Sequence, residues 1–328
     1  MKILVIGGAG YIGSHFIIEA LNQGHDLTVF DDLSSGFKDN LDKSIPFYKG
    51  STLVLKDLST VMKLEKFDVV VHLAAFKAAG ESMSDPIKYT SNNIIGGLNL
   101  IKACVDNNIE KILFSSTAAV YGTPQYIPID EMHPVNPINY YGYTKLLIEE
   151  NLKWYSDLKG LKFASLRYFN AAGYDSDQKF LNIEKNPQNL IQIVMECAVG
   201  VRKKLEVFGN NYSTIDGTGV RDYIHVSDLA RGHLDSIDYL FNNNKNLIIN
   251  LGSGGGSSVL EVINVTEKIS NKNIFLIQAF DKERNYSESA VYTRNTGELI
   301  HEITTNIKQE EKEKDISFYS CKNNNKDT

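Results

Sequence analysis

KILVIGGAGYIGSH, Lys2 to His15, decides the fold. The aliphatic run from Lys2 to Ile6 reads as a buried strand, the glycines as a tight turn, and Tyr11 to Asn22 as a helix. Gly8, Gly10 and Gly13 follow G-x-G-x-x-G between that strand and that helix, and Gly7 extends the run. Such a turn brings a pyrophosphate against backbone N–H groups at a helix N-terminus, where the donors and the dipole both favour an anion. A second strand, Asp26 to Phe30, ends in Asp31, 18 residues past Gly13, where a carboxylate can accept from adenosine ribose hydroxyls. Asp31 and Asp32 would together repel a 2′-phosphate, so the pattern predicts NAD rather than NADP. The cofactor contacts expected here are Gly7, Gly10, Tyr11, Ile12, Gly13 and Asp31.

Outward from this unit, strands alternate with helices. Strands are expected around Ile45 to Tyr48, Val69 to Leu73, Ile112 to Phe114 and Lys162 to Leu166. Helices are expected around Val54 to Leu64, Pro86 to Asn107 and Tyr140 to Leu158. This order implies an α/β fold, a doubly wound parallel (Rossmann) sheet with right-handed crossovers. Residues 1–170 form the NAD-binding domain in this reading. Residues 171–308 form a smaller α/β lobe whose chain returns to the sheet, and 309–328, rich in Lys, Glu and Asn, form a polar, poorly ordered tail.

The chemistry points to SSTAAVYG, Ser115 to Gly122, and YGYTK, Tyr141 to Lys145. Thr117 is placed at the carboxyl end of a strand, where open α/β sheets bind ligands. Tyr141 and Lys145, four apart in a helical segment, project from one face. A phenol with a neighbouring ammonium makes a base, because the cation favours the phenolate and brings its titration toward working pH. Thr117 can hydrogen-bond the substrate oxygen that loses its proton.

The 328 residues are 42% hydrophobic and 23% charged, as in an ordinary soluble globular protein. A net charge of −6 without a basic stripe argues against nucleic acid or an anionic membrane as partner. Cys104, Cys197 and Cys321 lie far apart without metal-ligand spacing, so reduced thiols and a cytoplasmic location are expected. His225, Asp228 and His233 read as capping and packing residues rather than a metal set. No apolar run approaches the ~18 residues of a membrane span.

Together these motifs, with HLAAFKAAGES (His72 to Ser82), RYFNAAG (Arg167 to Gly173) and DGTGVRDYIHVSDLARGH (Asp216 to His233), resemble the extended short-chain dehydrogenase/reductase superfamily. Within it the chain is similar to the UDP-glucose (UDP-galactose) 4-epimerases over about residues 1–265. The resemblance implies an isomerase in which NAD takes a hydride from C4 of a UDP-hexose and returns it to the other face of the 4-keto sugar. It implies Tyr141 as base and Lys145 as the lysine that holds the nicotinamide ribose, with Thr117 at a Ser/Thr position. Lys77, Asn92 and Tyr168 match cofactor-contacting positions. Lys77, Thr117, Asn170, Asn189, Leu190 and Arg221 match positions around the UDP-sugar. Relatives form homodimers through two helices, here Pro86 to Asn107 and Tyr140 to Leu158.

Three departures follow. Where relatives carry Gly-Asp, Gly50 is followed by Ser51, so the adenine contact differs. The arginine-rich segment of relatives is replaced by FDKERN, Phe280 to Asn285, with Lys282 or Arg284 as substitute phosphate ligand. The pocket-gating position falls near Ser289, small enough for N-acetylated sugars. One alternative is a sister NAD-dependent nucleotide-sugar enzyme, a dehydratase or decarboxylase, with the same fold and Tyr/Lys pair; dehydratases need an acid beside the threonine, whereas Ala118 and Ala119 follow Thr117. A non-catalytic sugar-nucleotide-binding relative is the other alternative.

Overall fold

A computed structural model describes residues 1–174, 185 and 187–279. The segments Phe280 to Asn285, Ser289 and the tail lie outside the described residues.

The first half runs β1 (Lys2–Ile6), α1 (Tyr11–Asn22), β2 (Asp26–Asp31), β3 (Phe47–Lys49), α2 (Leu55–Met62) and β4 (Val69–His72). Next come α3 (Ala79–Ser84), α4 (Pro86–Tyr89), α5 (Gly96–Asp106), β5 (Lys111–Thr117), α6 (Tyr140–Lys159) and β6 (Lys162–Tyr168). The second half holds β7 (Asn170–Ala172), α7 (Leu190–Ala198), β8 (Leu205–Phe208), β9 (Val220–His225), α8 (Val226–Asn243) and β10 (Leu247–Leu251). It closes with β11 (Gly256–Ser258), α9 (Val259–Ser270) and β12 (Leu276–Ala279).

Seven strands form one sheet in the order β10-β6-β5-β4-β1-β2-β3, each neighbouring pair parallel. This is the expected doubly wound α/β sheet. Its strands are aliphatic without alternation because both faces are covered. Ile3 and Val5 belong to one apolar cluster with Phe16 of α1 and Leu234 of α8. Leu4 and Ile6 belong to the other, with Leu58 of α2, Leu100 of α5 and Leu152 of α6. Each of these side chains, buried, contributes roughly 1.5–3 kcal/mol. The second half adds a three-stranded sheet, β11-β9-β7, and a pair, β12-β8.

The chain goes from β1 outward to β2 and β3 and then returns to β4 on the other side, so the topology reverses between β1 and β4. Leu73 N and Ala74 N both donate to Ile6 O, at 2.8 and 3.1 Å, and splice the two strand ends at that point. A crevice outside the carboxyl ends follows from this geometry.

The long helix expected from Pro86 to Asn107 is interrupted. α4 and α5 are joined by a π-helical stretch, Thr90–Ile95, that holds Asn92 and Asn93. Apolar periodicity cannot reveal one wider turn, because the helix axis continues through it.

Gly7 has φ +86°, and a Cβ there would lie 2.5 Å from Ala74 N. Gly24 has φ +77° with nothing within 4 Å of such a Cβ. Gly7→Ala is therefore expected to cost about 2–5 kcal/mol, roughly 1–2 from the left-handed backbone and roughly 1–3 from overpacking. Gly24→Ala loses only the first part, ~1–2 kcal/mol. Urea denaturation of the two variants side by side checks the order, and equal losses would refute it.

Candidate active site

The β1–α1 turn packs as tightly as glycine allows. A Cβ on Gly13 would lie 2.4 Å from Gly7 O, so Gly7 and Gly13 serve packing. Gly10 has more room: its Cβ would meet only Gly7 O, at 3.4 Å, and like Gly7 it lines a crevice with Asp31, Gly50, Ala74, Phe76 and Asn92. Gly10 is also the N-cap of α1, and no side chain caps that helix. No side-chain oxygen therefore competes with an incoming anion. Asp31 is buried; its Oδ2 accepts from Ala9 N (3.0 Å) and its Oδ1 from Leu33 N (2.7 Å). Burial pushes its pKa up, and these two N–H bonds oppose the shift. Each oxygen keeps a second acceptor site for a ribose hydroxyl. An open glycine cradle, an uncapped helix start and a carboxylate at the next strand end fit a dinucleotide.

The remaining predicted cofactor residues are held in different ways, and of them Asn92 lines this crevice. Tyr11 is buried and donates its hydroxyl to Gly173 O at 2.6 Å, while Ile12 packs against the first apolar cluster. Lys77 Nζ stands 6.0 Å from the Tyr11 ring centre. Asn92 lines the crevice and donates to Asn93 Oδ1 at 3.0 Å. Asn93, which sequence reasoning did not place, accepts from Phe76 N (3.0 Å) and donates to Phe76 O (2.9 Å) and Thr144 Oγ1 (3.2 Å). It thus ties the Lys77 loop to α6. Ser51 Oγ accepts from Leu53 N at 3.3 Å, and its neighbours Gly50 and Thr52 line the crevice.

Thr117, Tyr141 and Lys145 come together as the sequence predicts. β5 extends past Phe114 to end at Thr117, whose side chain accepts from Ala119 N at 3.2 Å and lies close enough to Tyr141 to favour its phenolate. α6 is capped by Asn139, whose Oδ1 accepts from Gly142 N at 2.8 Å, so the helix starts one residue before Tyr141. Lys145, only 3% exposed, donates from Nζ to Ser115 O at 2.6 Å and lies 4.8 Å from the Phe114 ring centre.

The expected lowering of the Tyr141 pKa is not found. Burial pushes the phenol up to about 12, opposed by the Thr117 hydrogen bond. Burial also brings Lys145 down to about 7, opposed by the charge of Glu149. The reason is shared, since desolvation penalises whichever form is charged, although Lys145 is buried and Tyr141 keeps part of its surface exposed. Lys145 points its protons at a carbonyl rather than at the phenol.

Tyr168 donates its hydroxyl to His233 Nε2 at 2.6 Å, since His233 Nδ1 bonds Leu229 O at 2.6 Å and carries the ring proton. Burial raises its pKa, and Ser115 lowers it through a hydrogen bond. His225 caps α8, its Nδ1 accepting from Ser227 N at 3.2 Å. Among the described residues no cluster of three or more His, Cys, Asp or Glu side chains could hold a metal.

The candidate substrate residues lie in the second half. Asn170 Nδ2 donates to Asp222 O at 2.9 Å, joining β7 to β9. Arg221 Nη1 donates to its neighbour Val220 O at 2.9 Å. The buried Asp222 accepts from Ser253 N, Ser253 Oγ and Gly254 N at 2.8, 2.8 and 3.1 Å. Asn189 is the N-cap of α7, and Leu190, its first residue, packs against the apolar cluster around Val194 and Ile263.

Two buried charges escaped the sequence reading. Glu149, one turn beyond Lys145, is 0% exposed and forms an ion pair with Arg167 of β6 at 2.7 Å. The signal was present: Arg167 is a charged residue at the end of an otherwise buried strand, and Glu149 continues the Tyr141–Lys145 spacing.

The model of the NAD dependent epimerase/dehydratase family matches residues 3–252. A UDP-glucose 4-epimerase of Lacticaseibacillus casei is 43% identical over 274 residues, covering 84% of this chain and 83% of that protein. The Bifidobacterium longum UDP-glucose 4-epimerase, solved with NAD+ and UDP, superposes with a TM-score of 0.85 at 37% identity, over 90% of each chain. The UDP-Glc/GlcNAc 4-epimerase of Campylobacter jejuni superposes with a TM-score of 0.78 at 37% identity, over 91% of this chain and 92% of that one. With its dinucleotide crevice and its Thr117, Tyr141 and Lys145 at the carboxyl end of one sheet, the chain belongs to the NAD-dependent epimerase/dehydratase family and groups there with the UDP-glucose 4-epimerases.

Proposed function

We infer that the chain interconverts UDP-glucose and UDP-galactose by NAD-dependent epimerisation at C4. The observation that carries this reading is Tyr141, at the start of α6 and close enough to Thr117 at the end of β5 for that hydroxyl to favour its phenolate, with Lys145 one turn along α6. Gly7, Gly10, Tyr11, Ile12, Gly13, Asp31, Lys77, Asn92, Tyr141, Lys145 and Tyr168 hold the cofactor in this reading. Lys77, Thr117, Asn170, Asn189, Leu190 and Arg221 hold the UDP-sugar. When bound, NAD supplies the hydride acceptor and donor, and its positive ring favours the Tyr141 phenolate.

Tyr141 takes the proton of the sugar 4-hydroxyl at its phenol oxygen and gives it back after the sugar has turned. Thr117 orients that hydroxyl. Lys145, when protonated, favours the phenolate, and the two together offset the burial that holds the phenol near 12. Arg221 suits a diphosphate because its guanidinium offers a planar fork of donors. Ala118 and Ala119 leave no acid beside Thr117 for expelling a 6-hydroxyl, which disfavours dehydration.

The substrate range extends to UDP-GlcNAc and UDP-GalNAc, a reading supported by the likeness to the Campylobacter jejuni enzyme with its UDP-Glc/GlcNAc name. The free thiols Cys104 and Cys197 suit a reducing, cytoplasmic setting. A homodimer accounts for an exposed apolar stripe on α6, where Tyr143, Trp154 and Leu158 are 47%, 65% and 70% exposed, beside Ile87 of α4 at 78%.

A coupled assay with UDP-galactose and, separately, UDP-GlcNAc tests the activity. Tyr141→Phe is expected to lower kcat about 10²–10⁴-fold, the usual worth of a general base. Conversion of neither sugar by the parent protein, or an unimpaired Tyr141→Phe, would sink the reading. Sedimentation is expected to show a dimer that Trp154→Glu with Leu158→Glu converts to monomer; a parent protein that sediments as a monomer refutes the dimer.

A further inference from the structure

α6 carries three ionisable groups at successive turns of its inward face, Tyr141, Lys145 and Glu149. The inferred reaction uses the first two and leaves the third without a task. Glu149 is nonetheless more elaborately held than either. Arg167 donates from Nε to Oε1 at 3.0 Å and from Nη2 to Oε2 at 2.7 Å, and the Ser116 hydroxyl donates to Oε1. Arg167 Nη1 donates in turn to the Tyr121 hydroxyl at 2.9 Å, and that hydroxyl donates to Asn250 Oδ1 at 2.6 Å. A buried ion pair of this kind is seldom the most stable filling for a core, because well-packed apolar residues avoid its desolvation.

The surroundings of Lys145 show what the pair does. From β5 it meets the Ser115 carbonyl and the Phe114 ring, and from β4 the neutral His72, whose pKa burial and Lys145 together depress to about 3. Tyr141 and Glu149 lie on its own helix. Arg167 on β6 faces it through Glu149, and Tyr168 on β6 is bonded to His233 and Ser115. Among these described groups Glu149 is the carboxylate. Nothing else there favours the ammonium over the amine by charge.

We propose that Glu149, locked by Arg167 and Ser116, is a positioning residue of the epimerisation site: its fixed negative charge one turn from Lys145 keeps that amine protonated and the Tyr141–Lys145 pair competent. The proposal rests on the roles given to Tyr141 and Lys145 above. The titration agrees in direction, since burial holds Lys145 near 7 with Glu149 opposing. Removing that charge lowers the pKa further, so Lys145 is neutral at a pH where the parent enzyme still holds the proton. The limb of the kcat profile that falls with rising pH then moves to lower pH.

Glu149→Gln keeps the shape but leaves Arg167 charged and unpaired, which endangers folding. Glu149→Gln combined with Arg167→Met removes both charges, a replacement that is often neutral for stability, and Glu149→Asp keeps the charge. For the double variant, loaded with NAD, kcat at pH 8 is expected to fall by up to about tenfold, with its basic limb about one unit lower, one unit being a factor of ten in protonation. KM is expected to stay within about threefold, and Glu149→Asp to restore the position of the limb. A folded double variant with the parent's pH profile overturns the proposal, and so does a loss of kcat without movement of the limb. An inactive parent protein instead overturns the assignment of Tyr141 and Lys145, so the two failures are separable.

Discussion

The splice of β1 to β4 is the constraint on which the rest depends. Two successive amides, Leu73 N and Ala74 N, converge on the single carbonyl of Ile6, and the chain leaving β1 has to turn away at once. Gly7 achieves this with a positive φ while lying against Ala74, at a separation that admits no side chain. The turn sets the start of α1 over the gap between the strands. Gly13 then lets the helix settle on the Gly7 carbonyl. Asp31 completes the unit from β2, with one oxygen on Ala9 N and the other on Leu33 N, so the carboxylate holds the glycine turn as well as facing the crevice. Cofactor geometry here is a by-product of how closely three backbones approach.

The same sheet creates an electrostatic problem on its other half. β5 and α6 bring a phenol, an amine and a carboxylate into a region from which water is largely excluded, and β6 adds a guanidinium. Burial drives Tyr141 and Lys145 toward their neutral forms, and even with their neighbours opposing it the phenol stands at about 12 and the amine at about 7. A neutral phenol beside a neutral amine is a poor base. What corrects this is charge supplied from neighbours, and the order of the groups along α6 alternates accordingly: acid, base, acid, with Arg167 behind the last. Net charge in the site is thereby set by residues that never face the crevice.

Much of this was legible in the sequence, for identifiable reasons. Strands buried on both faces announce themselves as unbroken aliphatic runs, and the glycine spacing is a steric requirement that leaves few substitutes. The four-residue step from Tyr141 to Lys145 is enough to place both on one helix face. What was not legible depends on distance through the fold. Glu149 and Arg167 can each be read as a charge on a buried face, but they lie on different elements, so neither motif predicts that they meet. The π-helical turn at Thr90–Ile95 is invisible to apolar periodicity, although it decides that Asn92 faces the crevice while Asn93 binds Phe76 and Thr144. The Tyr141 pKa was misjudged because a neighbour's charge can be read from spacing, whereas depth of burial cannot.

Glu149 and Arg167 also bear on how the two halves of the chain keep their register. Arg167 reaches the Tyr121 hydroxyl, which binds Asn250 of β10, and Asn250 is held further by Glu131, which accepts from its N at 2.7 Å, and by Ile129 O at 3.2 Å. β10 ends at Leu251, whose carbonyl accepts from Phe169 N at 3.0 Å. Two residues on, Ser253 and Gly254 close on the carboxylate of Asp222, the neighbour of Arg221 on β9. Asn170, from the segment that follows β6, binds the carbonyl of that same Asp222. The path from Lys145 to Arg221 therefore runs through paired polar groups on α6, β6 and β10 and closes on β9 through the short Ser253–Gly254 turn. In the proposed reaction the Tyr141 phenol on α6 and the Arg221 guanidinium on β9 share one substrate. Their separation is fixed by strand register and by bonds that leave little slack, and this is how a site assembled from both halves of the chain can remain a single geometry.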